Sequence, residues 1–187
     1  NQPIMTAKDT HFSSGYIGFG SFDGIGLIDN VRIWAPEVIQ HRSDSLFASK
    51  PIHPTEPEPN VDGEGFRCLF DGRTLAGWHV AEGVASGQMK YTVDQGAIVG
   101  TCVRKERTGF LCSDEIYGDF IFTCEAKWDV PSNSGIQFRA QQRDKDGRVY
   151  GYQFEVDEDK SRSYTGGIYD SARRGWLFPR WGEAYQK

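Results

Sequence analysis

The chain has 187 residues, a formal net charge of −5 and a sequence pI near 5.4, with no block of Lys and Arg to release counterions from a polyanion, so nucleic acid is excluded as a partner. No stretch approaches the roughly 18 consecutive apolar residues of a membrane helix, and residues 1–10 lack the apolar centre of a signal peptide. Aromatics at 13% and 22 glycines favour strands and turns over helices.

In chain order, Ser14 to Phe22 and Leu27 to Trp34 read as two strands around the tight-turn signal Asp23-Gly24. In the second, strict alternation would place Leu27, Asp29, Val31 and Ile33 on one face and Ile28, Asn30, Arg32 and Trp34 on the other. Residues 36–63 change character. Val38 to Ala48 has room for a helical turn or two, and Lys50 to Pro59 is Pro-rich, which predicts a stiff extended linker. From Gly65 onward strand signals return at 66–70, 88–93, 96–103, 108–113, 118–130, 134–142, 150–158 and 164–169, with turn residues between them. An all-β, antiparallel β-sandwich or jelly roll follows.

The strands between 118 and 158 carry the chemistry. Phe120, Phe122, Cys124, Ala126 and Trp128 alternate with Ile121, Thr123, Glu125 and Lys127. Phe138 and Ala140 alternate with Gln137 and Arg139, and Phe154 and Val156 with Gln153, Glu155 and Asp157. If these strands pair as successive antiparallel neighbours, one face is apolar core, holding Phe120, Phe122, Trp128, Phe138, Phe154 and Val156. The other is a polar field of Glu125, Lys127, Gln137, Arg139, Gln153, Glu155 and Asp157. Carboxylates, amides and a guanidinium side by side suit the bidentate hydroxyls of a sugar; an ordinary solvated sheet face with cross-strand ion pairs is the other reading.

Elsewhere the signals are weaker. Cys68, Cys102, Cys112 and Cys124 show no CxxC spacing, which argues against zinc. In an exported chain they allow a disulfide, and otherwise they are small buried hydrophobes. His79 beside Trp78 reads as a packing residue, and Asp144-x-Asp146-Gly147 as a hairpin turn rather than a calcium loop. No phosphate-binding glycine motif is present.

Phe66-Arg67-Cys68-Leu69-Phe70-Asp71-Gly72-Arg73-Thr74-Leu75-Ala76-Gly77-Trp78 resembles the opening "sLFDGktLdGW" segment of the 3-keto-disaccharide hydrolase family. Val93 to Gly100, Tyr117-Gly118-Asp119-Phe120, Asn133 to Arg139 ("NSGiflR"), Gly151 to Asp157 ("GyevqilD") and Thr165 to Tyr169 ("TGaiY") match in family order. The resemblance implies a concanavalin A-like (laminin-G-like) jelly roll in an exported, periplasmic or extracellular protein that acts on a carbohydrate or modified disaccharide. Glu155 or Asp157 would serve as base or metal ligand, with Arg139 as oxyanion or sugar clamp. Lys127, Gln137, Gln153 and Tyr169 would bind substrate, and a divalent metal ion is implied without assigned ligands. Residues 1–35 resemble closing strands of a related jelly roll, so the expected plan is closing strands, a linker over 36–63, and a jelly roll over 64–187 lacking its last strands. Residues 14–34 are expected to pair with the 64–187 region. Two other functions remain open. One is a carbohydrate-binding module stacking sugars on Trp78, Trp128, Trp176 or Trp181. The other is an interaction subunit of a larger assembly, anchored by Arg173, Arg174, Trp176, Arg180 and Trp181.

Overall fold

The computed structural model describes residues 11–21, 25–35, 38–41, 65–83, 89–102, 109–130, 133–157 and 164–178. The strands are β1 (Tyr16–Ser21), β2 (Ile25–Trp34), β3 (Val38–His41), β4 (Arg67–Cys68), β5 (Trp78–Val80), β6 (Met89–Asp94) and β7 (Ala97–Cys102). They continue with β8 (Gly109–Ser113), β9 (Glu115–Tyr117), β10 (Ile121–Trp128), β11 (Asn133–Gln142), β12 (Val149–Asp157), β13 (Ile168–Ser171) and β14 (Gly175–Phe178). A seven-stranded sheet in the order β14-β13-β12-β11-β1-β8-β5 faces a five-stranded one, β10-β2-β7-β6 with β4 also on β2. Every pairing is antiparallel, and the fold is the expected all-β sandwich.

Between the sheets, Ile17 and Phe19 of β1 meet Val31 and Ile33 of β2 together with Leu69, Trp78, Ile98, Leu111 and Tyr117. The expected pairing of residues 14–34 with the later strands is present: β1 lies between β8 and β11, and β2 between β10 and β7. The two early strands do not form a hairpin, because β1 joins one sheet and β2 the other. Strict alternation along β2 also fails. Asn30 has φ +51°, and the register to β10 shifts between Thr123 and Glu125, so a bulge turns the strand and Ile28 packs on the same core as Val31 and Ile33. Val38–His41 is a strand paired with β9, not the start of a helix; residues 42–64, which include the Pro-rich stretch, lie outside the described residues.

The largest correction concerns β10. It pairs with β2 in the five-stranded sheet, while β11 and β12 pair with each other in the seven-stranded sheet. Glu125 and Lys127 therefore belong to a different layer from Gln137, Gln153, Glu155 and Asp157. Phe154, expected in the core, is 39% exposed, and Phe120, Phe122, Trp128, Phe138 and Val156 are half-buried. Where β10 looks across at β11–β13 the two layers leave an apolar groove of about 820 Å³, lined by Phe120, Phe122, Ile136, Phe154, Ile168 and Leu177. Cys124 also lines it, and burial pushes its thiol up to about 11. No disulfide joins any two of the four cysteines.

Candidate functional site

The outer face of the seven-stranded sheet carries a row of directly paired residues that runs His79, Cys112, Gly18, Gln137, Gln153, Tyr169, Trp176 from β5 to β14. The next row sets Phe110, Gly20 and Gly135 beside Glu155, whose backbone pairs with Gly167. Period-2 alternation puts both rows on one side, away from Phe19, Leu111 and Ile136.

Glu155 is the centre of this face. Asn133 Nδ2 donates to its Oε1 at 2.5 Å and Gln153 Nε2 to its Oε2 at 2.7 Å, while Gln137 Nε2 donates to Gln153 Oε1 at 2.9 Å. The chain Gln137→Gln153→Glu155←Asn133 is buried: Glu155 is 3% exposed, Gln153 5% and Gln137 0%. Glycine makes this arrangement possible. A Cβ on Gly135 would stand 2.5 Å from Gln153 Nε2, so only a residue without one lets the Gln153 amide lie across the strand between Gln137 and Glu155. The same logic places the Phe110 ring over Gly20 and the Trp176 indole against Gly167. Asn133 reaches Glu155 because it opens β11 opposite Asp157, at the far end of β12.

Of the residues singled out in the sequence, Gln137, Gln153, Glu155, Asp157 and Tyr169 share this face. Asp157 is buried, and its N–H donates to Thr165 Oγ1 at 3.0 Å while that hydroxyl donates to the Asp157 carbonyl at 2.9 Å. Tyr169 stands next to Gln153 in register and packs on Trp176, ring centroids 5.1 Å apart. Lys127 and Glu125 are exposed on β10, in the other sheet. Arg139 also leaves the field. Its φ is +49° and the β11–β12 register slips between Phe138 and Gln141, so the bulge swings it to the groove between the sheets. There it donates to Asp119 Oδ1 at 2.6 Å and to the Phe12 carbonyl at 3.0 Å.

Asn133 and the aromatic trio Tyr164, Tyr169 and Trp176 complete the site. Asn133 was visible in the Asn-Ser-Gly motif, but its role needed the register that sets β11 against β12. Among the other candidates, Trp78 is buried and donates to the Leu69 carbonyl, so it is core rather than a platform. Arg174 donates to Asp170 Oδ2 at 2.5 Å and Arg173 lies over the Phe12 ring; Arg180 and Trp181 lie outside the described residues. His79 packs against Tyr16 and shares a hydrogen bond with Asp114 at 2.8 Å. The segment at 144–147 is a turn closed by an Arg143–Asp146 pair, as its sequence indicates.

Glu155 as placed does not suit a divalent cation. Glu155 receives two amide N–H groups, which direct positive hydrogens at the oxygens a cation would need, and among the described residues no three His, Cys, Asp or Glu side chains gather as metal ligands. The inter-sheet groove is mostly apolar, and the Arg139 and Asp119 side chains that line it are tied to each other.

A buried carboxylate held by amides thus lies on one face of an antiparallel sandwich, on the same side as Tyr169 and Trp176. Among known families, the model described as the 3-keto-alpha-glucoside-1,2-lyase-like domain matches residues 65–186, well over half of the chain. The chain belongs to that family, the 3-keto-disaccharide hydrolase family whose motifs the sequence carries. No curated protein and no solved structure matches it. Among the described residues no helix is long and apolar enough to cross a membrane.

Proposed function

We propose that this domain eliminates the C1 substituent of 3-keto-glycosides, with Glu155 as the base. A ketone at C3 acidifies the neighbouring C2–H. Transfer of that proton to a Glu155 oxygen moves its bonding pair into a C1–C2 double bond, and the C1–O bond breaks. The leaving group departs with the pair and takes up a proton, and addition of water to the enone completes net hydrolysis. The observation that carries this reading is the fixed Glu155 carboxylate, with both oxygens oriented by Asn133 and Gln153 within the stretch that matches the family. A base held at one angle loses little entropy in reaching the transition state. Tyr169 lines the same face and is assigned to substrate binding, while the wholly buried Gln137 holds the Gln153 amide in place. The family reading also supports action in an exported compartment.

The test is Glu155→Gln, which keeps the shape and removes the base. Release of the leaving group from a 3-keto-glycoside should fall by about 10²–10⁴-fold, with the circular dichroism spectrum preserved. Turnover near the wild-type rate would remove Glu155 from the chemistry. The three aromatic rings beside it favour one second reading, a sugar-binding module without catalysis. That reading gains if wild-type protein binds the glycoside and releases nothing.

A further inference from the structure

We infer that the leaving group of the substrate sits over β13 and β14, against Trp176 and Tyr164, and that this subsite favours a ring-shaped leaving group, a second sugar or an aryl group. The inference rests on the elimination proposed above and deepens it by assigning the second half of the substrate.

From Glu155 the outer face runs in two directions. Towards β11, β1 and β8 it is filled: the Gln153 amide lies over Gly135 and the Phe110 ring over Gly20. Beyond them a second small core of Ala81, Phe110, Cys112, Ala140 and Val149 covers the sheet. The 143–148 turn packs against residues 82–83, close enough that a Cβ on Gly147 or Gly83 would collide with the opposite backbone. A substrate centred on Glu155 has no room to extend that way.

Towards β13 and β14 the neighbours are different. Gly167, paired to Glu155 through the backbone, has no side chain, and the Trp176 indole lies against it, Cζ3 being 3.0 Å from where a Cβ would be. Tyr164 meets Trp176 edge-on at 4.6 Å and 73°, and Tyr169 at 5.1 Å and 63°. All three are half-buried. Two tyrosines braced edge-on against an indole fix its plane, and a fixed flat ring is a platform for the C–H face of a pyranose or for an aryl ring. The bracing also means that the platform loses little freedom when it is occupied.

The experiment compares phenyl and methyl 3-keto-α-glucosides on wild type, Trp176→Ala and Trp176→Leu. Leucine keeps apolar volume where alanine risks unfolding, but it has no flat face. In both variants KM for the phenyl glycoside should rise about five- to tenfold, and KM for the methyl glycoside by less than about twofold. Equal shifts for the two substrates, or no shift, would overturn the subsite while leaving the elimination standing. If wild type releases neither leaving group, the elimination itself fails. Titration calorimetry with the same two glycosides then decides the subsite: it stands if the phenyl compound binds more tightly and Trp176→Leu erases the difference, and falls if the two bind alike.

Discussion

Glu115 and Glu155 are buried to nearly the same degree, 2% and 3% exposed, and the partners described for the two differ in kind. Glu115 lies under an arginine: the Arg67 guanidinium grips both carboxylate oxygens, and the Tyr117 hydroxyl donates to Oε2 at 2.5 Å. Burial acts to lower the Arg67 pKa, and the Glu115 hydrogen bond with the charges of Tyr117 and Glu115 outweighs it, so the guanidinium stays charged. Burial, reinforced by Glu115, pushes the Tyr117 hydroxyl far up, so it remains a donor. This cluster ties β4 to β9. Glu155 is oriented by the amides of Asn133 and Gln153, which aim the carboxylate without contributing a formal charge of their own. A guanidinium neutralises, and an amide points. The first glutamate fastens two strands; the second is the one proposed as base.

The comparison breaks most sharply if both glutamates are changed to glutamine. Glu155→Gln should lower release of the leaving group about 10²–10⁴-fold while the protein stays folded by circular dichroism. Glu115→Gln should show the reverse pattern, full activity per folded molecule and a lowered denaturation midpoint. Arg67→Met should cost the most stability, about 3 kcal/mol in urea unfolding, because it strands a buried carboxylate; a quarter of the Arg67 side chain is open to solvent, which keeps the figure at the low end for a broken buried pair. A loss below about 1 kcal/mol would mean that the pair behaves as a surface contact.

A smaller effect is expected at Asn133. Asn133→Ala removes one of two donors to Glu155 and should lower kcat about tenfold, with KM and melting temperature nearly unchanged. An unchanged kcat would mean that Gln153 alone aims the carboxylate.

The smallest effect concerns a third carboxylate, one that is exposed. Asp71 accepts from the Arg73 and Thr74 backbone N–H groups at 2.8 and 2.7 Å and from Thr74 Oγ1 at 2.7 Å. Partial burial acts to raise its pKa, and the bonds from Thr74 and Arg73 outweigh it and lower it. A carboxyl held low in the folded state contributes stability above its unfolded value of about 4 and loses it as pH falls through the folded value. Between about pH 5 and pH 3 the wild type should therefore lose stability relative to Asp71→Asn, by less than about 1 kcal/mol given the exposure. Parallel melting curves across that range would remove Asp71 from the pH response.

Much of this molecule was determined locally. Period-2 alternation and turn residues were enough for strands close to β6, β7, β8, β11 and β12, because side-chain direction in a strand depends only on the residue's own position. The motif Asn133-Ser134-Gly135 and the run Gly151 to Asp157 carried the family and placed Gln137, Gln153 and Glu155 among the candidates. What alternation could not give was the partner of each strand. Sheet pairing joins residues far apart in the chain, and only the assembled sandwich decided that β10 crosses to β2 and takes Glu125 and Lys127 with it. Nor does a period-2 pattern announce its own interruptions. At Asn30 and Arg139 a residue with a side chain adopts a left-handed backbone, which the surrounding sheet holds in place at a cost of about 1–3 kcal/mol. Those two bulges returned Ile28 to the core and took Arg139 from the polar face. The residue types were local; their assembly into a site depended on long-range backbone hydrogen bonds.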